Sequence, residues 1–90
     1  MPQIIVDPSE MRKFEAALRE LRVEIDARRT QLEGQITDVR SFWDDEKYQQ
    51  FLRKSEELML QVQYFSKLCD QYCEYLTRKA SAADAYLHGR

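Results

Sequence analysis

The stretch Phe42-Trp43-Asp44-Asp45-Glu46-Lys47-Tyr48 decides how this chain folds. Asp44 reads as a helix N-cap. Asp45 and Glu46 bring negative charge to the first turn that follows, where free N–H groups and the helix dipole favour it. Trp43 and Tyr48 stand at the two positions of a hydrophobic staple. No other break is credible in the middle of the chain. Between Ser9 and His88 there is no Pro and a single Gly, Gly34. A glycine inside a helix costs only ~1 kcal/mol, too little to end a helix held by packing. Asn is absent, and a sheet protein of this size would need several turns built from Gly, Pro, Asn and Asp. The chain is therefore all-α, with one short turn in its middle, and a turn that short sets two helices antiparallel.

Working toward the N-terminus, the start of the first helix is as well marked. Asp7 is the N-cap, Pro8 fits the first helical position, and Glu10 completes an Asp variant of the capping box. Val6 can staple to Met11. Apolar residues then recur at Met11, Phe14, Leu18, Leu21 and Ile25, a 3,4 heptad seam. The seam is interrupted at Arg28 and resumes at Leu32, Ile36, Val39 and Phe42.

Toward the C-terminus the seam is longer. Tyr48, Ser55, Val62, Cys69, Leu76 and Ala83 form one row, and Phe51, Leu58, Phe65, Tyr72, Lys79 and Tyr86 the expected partner row. A flanking row adds Leu52, Met59, Cys73, Ala80 and Leu87. So broad a stripe suits a bundle helix. Pairs at i, i+4 (Glu15–Arg19, Arg22–Asp26, Glu24–Arg28, Glu74–Arg78) add ~0.2–0.5 kcal/mol each. The expected architecture is a single helical-hairpin domain over residues 1–90: helix 1 about 8–42, turn about 43–44, helix 2 about 45–88. A thin rod exposes much surface. A second stripe at Leu60, Tyr64, Leu68 and Tyr75 calls for another neighbour. The expected assembly is a dimer of hairpins making a four-helix bundle.

Composition narrows function by exclusion. The net charge is -2, so there is no basic footprint for nucleic acid. No apolar run approaches the ~20 residues of a membrane span, and Met1 to Asp7 lacks the basic and apolar regions of a cleaved signal peptide. Cys69 and Cys73 lie one helical turn apart. They read as buried thiols acting as small hydrophobes, ahead of a disulfide across a dimer axis and of a metal site, for which the sole His88 cannot complete the ligand set. Asp44, Asp45 and Glu46 are explained by helix capping rather than by acid–base chemistry. No catalytic set, metal site or cofactor site is expected.

Trp43 carries a sharper reading. The bland one makes it a plug at the hairpin end. Yet a Trp in the turn, an aromatic eight residues on at Phe51, and long helices on both sides form a recognisable layout. With the opening Ile5-Val6-Asp7-Pro8-Ser9-Glu10, the chain resembles, over nearly its whole length, the WXG family of early secreted antigenic target-like proteins. Trp43-Asp44-Asp45 stands where that family has Trp-X-Gly, so Asp45 replaces the motif glycine and marks a divergent Trp-X-Asp branch. The resemblance implies a bacterial helical hairpin that acts by protein–protein contact, as a type VII-like secretion substrate or effector. The alternative is an intracellular adaptor or chaperone pairing with the helical targeting region of a larger toxin. The implied partner is a second copy or a related helical hairpin. The implied location is outside the cell without a cleaved signal, or the cytoplasm. Exported members carry Tyr-X-X-X-Asp/Glu. Here the residues four after the tyrosines are Leu52, Leu68, Leu76, Lys79 and Arg90, so an export signal would have to come from a partner chain.

Overall fold

Helix α1 runs Pro8–Val39 and helix α2 runs Glu46–Leu87. The computed structural model describes residues 5–87, and these contain no strand. The two helices pack side by side as an antiparallel hairpin, a rod of 65 × 27 × 14 Å with a radius of gyration of 19.9 Å. A compact chain of this length would have a radius near ~12 Å. The rod exposes 7521 Å², about 2,000 Å² above the ~5,500 Å² of a compact monomer of this mass.

The first helix begins where the sequence marks it. Asp7 is extended, and its Oδ1 accepts from the Glu10 N–H at 3.2 Å, with Pro8 opening the helix. The other half of the capping box is not made: Glu10 Oε1 accepts from Lys13 Nζ at 3.1 Å instead.

The boundaries around the turn differ from the expectation. Helix α1 ends at Val39 rather than 42, and the connection spans six residues, 40–45, rather than 43–44. The cap of α2 is Asp45, not Asp44: Asp45 Oδ1 accepts from the Tyr48 N–H at 3.0 Å. Asp44 instead accepts from the side chains of Gln49 (3.0 Å) and Arg40 (3.4 Å). The cause is the way α1 stops without a glycine. A helix end leaves four carbonyls orphaned, and here each finds a donor. The Arg40 N–H goes back to Thr37, Ser41 to Asp38, and Phe42 and Trp43 both to Val39. Three tight 3₁₀-type steps, from Arg40, Ser41 and Phe42, and a closing i→i−4 bond from Trp43 consume Arg40 to Trp43, which pushes the next helix start one residue on. The fourth carbonyl, Ile36, accepts from the hydroxyl of Tyr48 at 2.8 Å across the hairpin.

The seam is shifted as well. On α2 the Tyr48 row does face α1, but its partner is the expected flanking row. Ser66, Cys69, Cys73 and Ala80 are buried, whereas Phe51, Leu58, Phe65 and Tyr72 are each 40–55% exposed. On α1, Glu15, Arg22 and Arg29 fill the seam beside Met11, Leu18 and Ile25, while Phe14 and Leu21 lie outside it and Phe42 is 78% exposed. Arg29, not Arg28, holds the seam position after Ile25. The physical reason is size. Small residues in mid-α2 let the backbones approach closely, and Cys73 Sγ comes within 3.7 Å of the Glu15 carbonyl oxygen. Large rings do not fit in so narrow a gap. Long arginine stems do, since they lie along the seam and keep their heads at its edge.

Candidate interaction surface

The two long sides of the hairpin differ in chemistry. On one, the gap between helices is closed by ion pairs: Arg12–Asp84 at 2.5 Å and Arg22–Asp70 at 2.9 Å. Arg22 also binds Asp26, and Arg19 binds Glu15 one turn away. The hydrogen bonds that Arg22 donates to Asp70 are the main influence holding its guanidinium above its ordinary pKa. Of the four expected i, i+4 pairs three form; Arg28 reaches Gln31 instead of Glu24.

Among the described residues, Arg12–Asp84 and Arg22–Asp70 are the only ion pairs joining the two helices, and the opposite side has none. Phe14 and Leu21 project there from α1. Phe51, Leu58, Phe65 and Tyr72 follow each other at seven-residue steps along α2, which keeps them in one row. A groove between the helices brings Leu21, Ile25 and Leu32 opposite Leu58 and Val62, bordered by Glu24 and Arg28. Scattered exposed apolar residues are ordinary; a contiguous row of this kind makes this side the candidate contact surface.

The turn caps this row. Trp43 is half-buried and packs edge-on against Tyr48, with ring centroids 5.4 Å apart at 71°. Its other neighbour is Phe51, at 6.2 Å and 37°. Its Nε1 donates to Asp45 Oδ1 at 2.9 Å, the same oxygen that caps α2. The structure thus brings Trp43, Asp45 and Phe51 together. Tyr48, only 1% exposed, is the buried ring at this end of the hairpin; its place at the head of the seam row was the sequence signal for it.

The stripe at Leu60, Tyr64, Leu68 and Tyr75 fans across the back of α2. Leu60 borders a groove on the ion-paired side, with Glu33, Ile36 and Leu52. Tyr64 is 69% exposed. Leu68 and Tyr75 share one heptad row next to the Phe51 row.

Cys69 and Cys73 are free thiols, both buried in the seam. Burial, with Asp70 near Cys69 and Glu15 near Cys73, pushes both above the usual thiol pKa. Among the described residues no three His, Cys, Asp or Glu side chains gather as metal ligands. His88 lies outside the described residues. No described helix is long and apolar enough to cross a membrane.

No protein-family model matches the sequence, and no curated protein or solved structure is significantly similar to it.

Proposed function

We propose that this protein works by presenting one side of its hairpin to another helical chain, without turning over a substrate. It is a WXG-like hairpin acting as a type VII-like secretion substrate or effector. The observation that supports this most is the one-sided apolar row Phe51-Leu58-Phe65-Tyr72, which lies opposite a seam closed by ion pairs. The turn cluster of Trp43, Asp45 and Phe51 supports the family reading, because the Trp anchors the hairpin end as the turn motif requires. Asp45 in the motif glycine position has a role of its own as cap of α2. The partner is a second copy or a related helical hairpin, and with a net charge of -2 the protein leaves nucleic acid aside.

The second reading, an intracellular adaptor for a larger toxin, is favoured by one feature: no tyrosine of this chain is followed four residues on by an acid. Immunoblots of the medium and cytosol of the native cell, with a cytosolic marker as lysis control, separate the two. Protein in the medium supports the substrate reading. Protein confined to the cytosol overturns it and favours the adaptor. A Leu58→Lys, Phe65→Lys variant that keeps its helices should lose its partner; full retention of partner binding would refute the use of this surface in either reading.

A further inference from the structure

We infer that Cys69 and Cys73 form a two-sulfur site for a soft monovalent metal ion, copper(I), reached from the ion-paired side of the hairpin. The site goes beyond the partner-binding reading and does not depend on which chain covers the apolar side.

Both cysteines are free and buried in the seam, 2% and 5% exposed. They stand four residues apart on α2. Side chains at that spacing lie one above the other on a helix face, with Cβ atoms ~5–6 Å apart. A disulfide needs Cβ atoms ~3.5–4.5 Å apart, so a direct bond between these sulfurs would distort the helix. A metal ion between them would not. Two metal–sulfur bonds of the zinc–thiolate length, ~2.3 Å each, span ~4.6 Å, which the helical spacing accommodates. The number of ligands then selects the ion. A structural zinc site takes four ligands, and among the described residues no third His, Cys, Asp or Glu joins the pair. Thiolate is a soft ligand that suits copper(I), and copper(I) is held by two thiolates in a line.

The surroundings suit a metal-bridged thiolate pair. Ser66 stands one turn before Cys69 on the same buried face, 4% exposed, and among the described residues its hydroxyl has no partner. Ser55 and Thr77 of the same helix donate their hydroxyls to the carbonyl four residues back. Ser66 does not, which leaves a donor in the seam for a thiolate sulfur to accept. Outer hydrogen bonds of this kind orient metal ligands. Burial is the main force keeping both thiols protonated; Asp70 at Cys69 and Glu15 at Cys73 add to it, while Arg22 and Arg19 favour the thiolates. Binding is therefore an exchange. Copper(I) enters, two S–H bonds break, two Cu–S bonds form, and two protons leave to solvent, with no change in oxidation state. The contact of Cys73 Sγ with the Glu15 carbonyl is given up. The bridged pair carries one negative charge, which Arg19 and Arg22 offset. The ion also has a way in. A groove of about 400 Å³ is lined by Arg19, Asp70, Cys73, Glu74, Thr77 and Arg78. Its charges are paired, as Arg19–Glu15, Arg22–Asp70 and Arg78–Glu74, so it does not repel a cation.

The test uses the full chain, reduced and free of oxygen, with copper(I) offered as its coloured bicinchoninate complex. One ion per chain should pass to the protein and bleach the complex. X-ray absorption at the copper edge should then show two sulfur neighbours and no others. Both measurements use the unaltered protein, so they decide the matter even if a variant fails to fold. Cys69→Ser and Cys73→Ser, each checked for helicity, should abolish the transfer. Ser66→Ala should keep the stoichiometry and weaken binding about 10-fold; unchanged affinity would remove the hydroxyl from the site. Absence of transfer overturns the inference, as does a copper shell with three or more ligands or full transfer to either folded cysteine variant. One ion per two chains overturns it as well, because the sulfurs would then come from different chains. Zinc offered from a coloured chelator should stay there; a stoichiometric zinc site would refute the two-ligand reading.

Discussion

Replacing Tyr48 by Phe removes one oxygen and tests how α1 ends. The Tyr48 hydroxyl donates to the Ile36 carbonyl at 2.8 Å, and both residues are buried. Arg40, whose N–H would continue the helical ladder to Ile36, has turned to Thr37. In the variant the Ile36 carbonyl has no other donor at hand. A buried group left unpaired costs ~1–3 kcal/mol. The phenyl ring still fills the site, so no cavity is added. The expected loss is about 1–2 kcal/mol. For a chain of this size that lowers the melting temperature by ~4–16 °C. The assay is thermal and urea unfolding by circular dichroism at one protein concentration, since association would otherwise shift the midpoint. Tyr64→Phe, on an exposed ring, serves as control and should stay within ~0.5 kcal/mol. A Tyr48→Phe effect no larger than the control would refute the account of the helix end. The turn would then be held by the aromatic cluster alone.

Trp43→Ala should cost about 1.5–3 kcal/mol, below the ~3–5 kcal/mol of a fully buried ring, because the indole is half-buried; unfolding curves decide it. Asp45→Ala removes the acceptor shared by the Tyr48 N–H and the Trp43 indole and should lose ~1–2 kcal/mol, whereas Asp44→Ala should lose less. Gly34→Ala should raise stability by ~0.5–1 kcal/mol, since Gly34 is helical and an added Cβ meets nothing within 4 Å; a destabilised variant would mean that this face is occupied. Cys69 and Cys73 should react slowly with a disulfide reagent in the folded protein and fast in urea. Their folded pKa is raised, so the stability they contribute is full below the unfolded thiol pKa and is lost as pH rises above it; flat stability through that alkaline range would contradict the burial.

The sequence by itself settled that this chain is two antiparallel helices. The lack of proline from Ser9 to His88, with Gly34 the single glycine, the Asp7-Pro8 start and the charged stretch after Trp43 each act within one turn of helix, so they can be read locally. The row Tyr48-Ser55-Val62-Cys69-Leu76-Ala83 was also legible, because a heptad row keeps its bearing along a helix. Which neighbouring row completes the seam was not. Both candidates carry a period of seven and five apolar residues of six, and the aromatic one has the larger side chains. The choice was made by how close two backbones can come: Ser66, Cys73 and Ala80 admit α1, while Phe65 and Tyr72 hold it off and are left outside. The ion pairs Arg12–Asp84 and Arg22–Asp70 join residues far apart in the chain, and nothing local announces them. Only tertiary packing therefore decided which side of the rod is closed and which is free for a partner. Hydrophobic periodicity tells that a helix has a face to bury, but the volumes of the side chains between two helices determine which face it is.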